Sequence, residues 1–195
     1  MRGSSRRRGG ADDERDSPAP SLAPVLFREQ NRLSAKADSA SAMSNPDDLP
    51  SEWVSQFDGT RLEDKLHVAA VLATVDAGGW PHQAYLSAGE VLVHAPRRVS
   101  VCLWPASRST ANLQRIGRGV LYAAAAGAVW ETKLVAVLRE GTNTPVIFDA
   151  DVIEVHRHAA PYAEVTSLIG FRLSDPPSTV ERWRRQIEQM RDPAH

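Results

Sequence analysis

The chain has 195 residues, an apolar fraction of 42% and a net charge of -1 at pH 7. This length suits one domain with its own core, and the near-neutral charge favours neither nucleic acid nor membrane lipid as a partner. The only cysteine, Cys102, excludes an internal disulfide framework and a cysteine-based zinc cage. With no apolar run near the ~20 residues of a membrane span and no recognisable signal peptide, the sequence predicts a cytoplasmic protein.

Residues 1–48 differ in composition from the rest of the chain. They are rich in Ser, Ala, Arg, Asp and Pro, and they carry equal numbers of basic and acidic side chains. A segment of this kind buries too little apolar surface to offset the entropy of ordering it, so it is predicted to be a disordered tail. Globular patterning begins just after Met43, which suggests the hypothesis that Met43 is the natural start. A single domain is expected over residues 49–192.

The first half of that domain consists of short apolar runs separated by turns. Trp53 and Phe57 lie four residues apart after a proline, which suits a short amphipathic helix. The next apolar run ends at Ala77-Gly78-Gly79, a favourable hairpin turn. The predicted strands of this half cover residues 67–76, 80–87, 90–94 and 99–104.

The second half contains a helix, three strands and a final helix. A helix is predicted from Ser107 to Ile116 with Gly117 as its stop, and strands over residues 120–126, 129–139 and 146–158. Ser178 and Glu181 have the spacing of a capping box. A helix starting there would place one apolar face toward the core, made of Val180, Trp183, Ile187 and Met190. About six strands joined by tight turns indicate a small antiparallel barrel.

The segment with the clearest chemistry is the start of the helix at Ser107. A helix N-terminus offers unpaired backbone N–H groups and a partial positive charge. The hydroxyls of Ser107, Ser109 and Thr110, with the guanidinium of Arg108, would complete a cradle for a phosphate. Serine and threonine also act simply as N-caps, so the local pattern leaves both roles open.

Two stretches carry a resemblance to a known family: residues 73–82, Ala-Thr-Val-Asp-Ala-Gly-Gly-Trp-Pro-His, and residues 107–113, Ser-Arg-Ser-Thr-Ala-Asn-Leu. In this order of strands and turns the chain resembles the pyridoxamine 5'-phosphate oxidase-like, FMN-binding split barrels. The resemblance implies a mainly β (α+β) fold, a six-stranded antiparallel split β-barrel with short flanking helices and a C-terminal helix. It also implies a homodimer with flavin sites at the interface and a small-molecule substrate.

The resemblance further implies where FMN would bind. The strand from His82 to Ser87 would run along the isoalloxazine ring, and the turn at Ser107 would hold the phosphate. Glu131 and Lys133 lie on a strand that could reach across the dimer interface to a flavin or phosphate, although an exposed ion pair is the simpler interpretation. The implied cofactor-binding residues are His82, Gln83, Ala84, Tyr85, Leu86, Ser87, Leu103, Trp104, Ser107, Arg108, Ser109, Thr110, Asn112 and Lys133.

The chain departs from the phosphate-oxidising enzymes where those enzymes carry further cations. The matching positions hold Ala84, Gly89 and Ser109, so Arg108 is the cation left of that set. Each lost charge-assisted contact would remove about 1.5–3 kcal/mol of binding free energy. FMN would then bind weakly, bind through hydroxyls and the helix dipole, or be replaced by a deazaflavin or haem.

Three further features have both a functional and a structural interpretation. His156 and His158 alternate on a strand and could bind a metal, but no acid or cysteine pattern completes a site, which favours a surface role and no metal. Trp104 and Trp130 could stack on a planar ligand, yet core aromatics are commoner. Cys102 lies in an apolar run and is predicted to be a buried core thiol.

Two functions follow from this sequence. The first is a flavin-dependent oxidoreductase acting on a small molecule, in which the cofactor performs the redox step and no acid–base constellation is required. The second is a non-catalytic flavin, deazaflavin or haem binding or carrier protein, which the shortage of phosphate-binding cations favours.

Overall fold

The computed structural model describes residues 48–141 and 144–192, and the predicted tail and the Met43 hypothesis lie outside them. A 3-10 turn, Leu62–Lys65, precedes the first strand. No helix in the described ranges is long and apolar enough to cross a membrane. The helices and strands are α1 (Ser51–Gln56), β1 (Ala69–Val75), β2 (Pro81–Ser87), β3 (Val91–Ala95), β4 (Arg98–Leu103), α2 (Arg108–Ile116), β5 (Arg118–Ala125), β6 (Ala128–Leu138), β7 (Val146–His158) and α3 (Pro176–Arg191).

All strands of the described ranges belong to one antiparallel sheet in the order β2-β1-β5-β6-β7-β4-β3. The mainly β fold with short helices and a C-terminal helix is therefore confirmed, with seven strands where six were expected. The strands β2 and β3 are adjacent in sequence but lie at opposite edges of the sheet. One edge of β2 consequently has no strand partner in the described part of the chain.

The helices begin and end for identifiable reasons. Ser107 caps α2, because its hydroxyl accepts a hydrogen bond from the N–H of Thr110, and Gly117 ends the helix with a φ of 60°. The prediction for this helix is confirmed. The predicted capping box of the last helix is wrong, because α3 starts at Pro176 and the Asp175 carboxylate accepts from the N–H of Ser178. Proline fits there since the first turn needs no N–H donors.

The sheet has one inner face and an outer face with two different halves. The inner face encloses the main core, which includes Leu72, Leu121 and Phe148. We call the outer side of β3, β4 and the start of β7 the covered face, because α3 packs on it. The outer side of β2, β1, β5 and β6 is the open face, where Val75 and Val135 are each 41% exposed.

The C-terminal helix fits closely onto the covered face. The predicted apolar face of α3 is confirmed, since Val180, Trp183, Ile187 and Met190 are all buried. Gly89 lets Trp183 approach, because a Cβ at that position would lie 2.0 Å from the Cγ of the indole. Cys102 packs in the same cluster as a core thiol, as predicted. Burial raises the pKa of Cys102 to about 12, so the thiol is unreactive.

An arginine joins the covered face to the end of α3. Arg139 binds both carboxylate oxygens of Asp149, with Nη2 and Oδ1 2.6 Å apart. It also donates to the carbonyls of Gln189, Met190 and Asp192 at the C-terminus of α3. These carbonyls have no partner inside the helix, and a cation at this end also interacts favourably with the helix dipole.

Candidate phosphate and flavin site

The first turn of α2 has most of its polar groups already engaged. The Ser107 hydroxyl accepts from the Thr110 N–H at 3.1 Å, and the Thr110 hydroxyl donates to the Trp104 carbonyl at 2.7 Å. These contacts fix the loop that leads from β4 into the helix. Ser107 and Thr110 therefore act as structural caps, one of the two roles that the sequence left open.

Two neighbouring side chains in this turn have no polar partner among the described residues. The Ser109 hydroxyl is buried and has no hydrogen-bond partner within the described residues. Arg108 is exposed, and its guanidinium makes no hydrogen bond or ion pair in the same part of the chain. A buried hydroxyl without a partner costs about 1–3 kcal/mol. An anion at the helix N-terminus would satisfy this hydroxyl and pair with the guanidinium.

Helix α2 is hydrogen-bonded to β1, the neighbour of the strand that is expected to run along the flavin ring. The Asn112 side chain donates to the Thr74 hydroxyl at 2.9 Å, and both residues are buried. His82 of β2 lies directly opposite Thr74, so its side chain is on the same side of the sheet as α2. The structure thus brings His82 and the start of α2 to one side of the β1–β2 hairpin.

The position of β2 also suits contacts through its backbone. An edge strand has N–H and C=O groups that no neighbouring strand pairs. Such groups could hydrogen-bond the polar edge of a flat ring, as the resemblance implies for residues 82–87. Ser87 is less available, because its N–H and hydroxyl both donate to the Glu90 carboxylate at 2.8 and 2.7 Å.

Several other predicted site residues are covered by the core or lie on the opposite side of β2. Leu86 and Leu103 are buried in the main core, and Ala84 is partly buried against it. The side chains of Leu86 and Leu103 cannot touch a ligand at α2, so only their backbone groups are candidates. Gln83 and Tyr85 project from the opposite side of β2, onto the open face.

Lys133 also lies on the open face, away from Arg108. Its Nζ is 2.7 Å from the Glu154 carboxylate in an exposed ion pair, the simpler of the two predicted roles. A hydrogen bond with that carboxylate raises the pKa of Lys133. Within one chain the structure therefore does not bring Lys133 to the phosphate cradle.

The open face contains an apolar groove of about 550 Å³. Its walls come from β1, β5 and β6 together with the end of α2. Lys133 and Arg118 lie at this groove, whose other lining is almost entirely apolar. Exposed aliphatic side chains at the groove are Val75, Ile116, Val135 and Ile153.

The histidines near the end of β7 are exposed and paired with glutamates. His156 contacts Glu154, and His158 lies 3.2 Å from Glu131. No group of three or more His, Cys, Asp or Glu side chains in residues 48–141 and 144–192 is arranged to hold a metal. The acids beside both histidines were not apparent from the sequence, because they come from strand pairing and from alternation along β7.

The two tryptophans have different environments. Trp130 packs against the main core and donates to the Ala125 carbonyl at 3.0 Å, which confirms its core interpretation. For Trp104 that interpretation is wrong, since its side chain is 57% exposed beside the start of α2. Trp104 follows the end of β4, where the chain leaves the sheet before the indole can be covered.

Sequence reasoning missed several residues that shape these surfaces. Thr74 holds Asn112, and Tyr122 faces Val71 and Glu131 across two neighbouring strands. Burial, followed by the negative charge of Glu131 and a hydrogen bond with it, raises the pKa of Tyr122. Alternation within a strand could have indicated the face of each residue, but not its neighbours across the sheet.

Comparison with solved structures finds similar chains at low sequence identity. A crystal structure from Lactobacillus delbrueckii, described as a candidate pyridoxamine 5'-phosphate oxidase, is 20% identical, covers 57% of this chain and 96% of its own, and has a TM-score of 0.46. An FMN-binding protein from Syntrophomonas wolfei is 8% identical and covers 72% of this chain and 99% of its own, with a TM-score of 0.42. The structural neighbours are thus pyridoxamine 5'-phosphate oxidase-like split-barrel proteins, the class that the sequence motifs indicated.

A sequence relative gives the family. The uncharacterized protein YclD of Bacillus subtilis (strain 168) is 31% identical over 139 residues, which cover 69% of this chain and 90% of the relative. The chain belongs to the same family as YclD. No protein-family model matches the chain.

Proposed function

We propose that this protein binds FMN, with the phosphate at the N-terminus of α2 and the ring along the free edge of β2. The observation that carries this proposal is that, within the described residues, neither the buried Ser109 hydroxyl nor the exposed Arg108 guanidinium has a polar partner. Both lie in the first turn of a capped helix, where backbone N–H groups already favour an anion. A phosphate there would receive hydrogen bonds from the helix start, Ser109 and Arg108.

The residues present fit this group, with fewer cations than the phosphate-oxidising enzymes have. Ala84 packs against the core, so the position that corresponds to an arginine in those enzymes contributes no charge. His82 is half-buried on the same side as α2 and could contact the ligand between its phosphate and ring. When bound, FMN would supply the capacity for hydride and electron transfer.

The activity that suits this arrangement is a flavin-dependent oxidoreductase acting on a small molecule. The protein would hold the ring against the edge of β2 and tune it through backbone hydrogen bonds.

The second candidate is a non-catalytic carrier of flavin, deazaflavin or haem, and the single cation at the cradle favours it. Bleaching of bound flavin by NAD(P)H, followed by reoxidation with a small acceptor, would favour the enzyme, whereas a stable yellow complex would favour the carrier.

The proposal is tested by equilibrium titration of the purified protein with FMN, followed by flavin fluorescence. Wild type is expected to bind, and Arg108→Ala is expected to bind at least about tenfold more weakly because a charge-assisted contact is lost. Arg185→Ala is the matched control, since Arg185 is an exposed arginine paired with Glu181 on α3. Equal affinity of Arg108→Ala and wild type would contradict the phosphate site. No binding by wild type would contradict FMN and direct the search to deazaflavin and haem.

We also propose that the protein is a homodimer whose interface includes the groove on the open face. Contiguous exposed aliphatic side chains are typical of an interaction surface. The groove supplies them at Val75, Val135 and Ile153, which are 41–50% exposed. In such a dimer Lys133 could approach the partner's flavin, the role that the resemblance implies.

Mass measurement by light scattering tests the dimer. Val135→Asp places a charge in the groove and is expected to shift the mass from dimer to monomer. Val137→Asp is the matched control, because Val137 is 67% exposed on the same strand and is not among the residues that line the groove. A wild-type monomer, or a dimer unaffected by Val135→Asp, would contradict this interface.

A further inference from the structure

A second cavity lies on the open face beneath an irregular segment. We call residues 159–175, which connect β7 to α3, the strap. Leu168 and Ile169 of the strap lie beside β2, β1 and β5 and border an open cleft of about 320 Å³. This volume is at the lower end of the range for small-molecule pockets, roughly 300–1,000 Å³. The sheet side of the cleft is lined by Val71, Gln83, Tyr85 and Tyr122.

The strap is held in place at both ends. Near its start, the Val165 N–H donates to the Gly127 carbonyl at 2.9 Å. A Cβ at Gly127 would lie 2.8 Å from the Cγ of Glu164, so the strap contacts the β5–β6 turn closely. Near its end, Leu173 packs against the core under α3. Because both ends are attached, Leu168 and Ile169 form a positioned wall of the cleft.

The lining of the cleft determines which ligand it suits. None of its lining residues carries a formal charge, and the nearest charge behind Tyr122 is the Glu131 carboxylate, so an anion is disfavoured. Two tyrosine rings and aliphatic side chains favour a flat apolar body. The Gln83 amide has both donors and an acceptor, which match a carboxamide or a similar polar edge.

The cleft and the phosphate cradle lie on opposite sides of the same two strands. Thr74 and His82 face α2, whereas Val71 and Tyr85, which are paired across β1 and β2, face the cleft. A cofactor anchored at α2 and lying along the edge of β2 would leave the cleft free. The two sites would then be separated only by the thickness of one hairpin.

We propose that the cleft under the strap binds a small uncharged planar ring compound with a carboxamide or carbonyl edge. The ring would lie against Tyr85 and Tyr122, and the polar edge would contact Gln83. Binding of this ligand stands independently of the flavin.

The test is calorimetric titration of the protein with benzamide, and with benzoate as the charged analogue. Wild type is expected to bind benzamide saturably and benzoate at least about threefold more weakly. Tyr85→Thr and Gln83→Met, both at exposed positions of an edge strand, are each expected to weaken benzamide binding about threefold or more. Tyr162→Thr is the matched control, since Tyr162 is 86% exposed on the same strap and does not line the cleft.

Two results of these titrations would overturn the proposal. Absence of saturable benzamide binding would exclude the ligand class, and equal affinity of Tyr85→Thr and Tyr162→Thr would place the ligand elsewhere.

A repeat titration in the presence of FMN separates this site from the flavin site. Unchanged benzamide affinity supports two sites, whereas competition would show that the flavin ring itself occupies the cleft. If FMN does not bind at all, the benzamide result still decides the cleft.

Discussion

The covered and open faces belong to the same side of one sheet, yet they are completed in different ways. On the covered face, α3 places Trp183, Ile187 and Met190 into full burial, and Arg139 joins the end of that helix to the sheet. On the open face, aliphatic and aromatic side chains remain exposed around a groove and a cleft. The described part of the chain thus covers one half of this surface internally and leaves the other half exposed.

This difference separates residues that hold the fold from residues that are available for function. Burial of a side chain of the size of Trp183 contributes several kcal/mol, whereas exposed positions usually change stability by less than about 0.5 kcal/mol. Substitutions on the covered face should therefore reduce stability. Substitutions on the open face and at the start of α2 should instead alter association and binding.

The largest expected effect is the loss of stability in Trp183→Ala. The indole is fully buried against Gly89, so its removal leaves a cavity and should lower the free energy of unfolding by about 3–5 kcal/mol. Trp80→Ala is the control, because Trp80 is 73% exposed and should change stability little. Denaturant unfolding measures both, and a loss below about 1 kcal/mol for Trp183→Ala would remove the distinction between the two faces.

A smaller loss is expected for Arg139→Met, and it should depend on pH. Burial alone would raise the pKa of Asp149, but hydrogen bonds from Arg139 and Ser100 outweigh it and hold the pKa below its ordinary value of 3.8. A lowered folded-state pKa contributes stability above that value, and the contribution is lost as the pH falls through the folded pKa. Arg139→Met should therefore cost about 3 kcal/mol near neutral pH.

The difference in the free energy of unfolding between Arg139→Met and wild type should narrow as the pH falls through the folded-state pKa of Asp149. Unfolding curves measured across pH check this, with Arg185→Met as the control for the loss of an exposed arginine. A difference that stays constant down to low pH would show that the ion pair with Asp149 does not supply the stability.

Local patterns in the sequence were sufficient for much of the fold. An apolar run and the turn at Gly78-Gly79 located β1 and β2, and Ser107 and Gly117 located both ends of α2. The N-cap of α3 was placed three residues late, at Ser178 instead of Asp175, because the Ser-x-x-Glu spacing at Ser178 competes with Asp175, and only the structure shows which side chain caps.

The candidate site was predictable only in part, for a physical reason. The motif indicated Ser107 to Thr110, but it could not distinguish Ser109, whose hydroxyl has no partner among residues 48–141 and 144–192, from Thr110, which donates to the Trp104 carbonyl. The sequence also could not show which side chains of the strand from His82 to Ser87 face α2 and which face the cleft. That division depends on register with β1 and β5.

The central claim is that the start of α2 is an anion site, and Ser109→Ala tests it most directly. The change removes a buried hydroxyl with no partner in the part of the chain that the structure describes, so the stability of the ligand-free protein should stay the same or rise by about 1 kcal/mol. Its affinity for FMN should fall by about threefold or more, because the phosphate loses one donor. Unfolding without ligand and FMN titration of the same preparation give both values. Unchanged or higher stability of Ser109→Ala together with weaker FMN binding would support the anion site. An FMN affinity equal to that of wild type would contradict it.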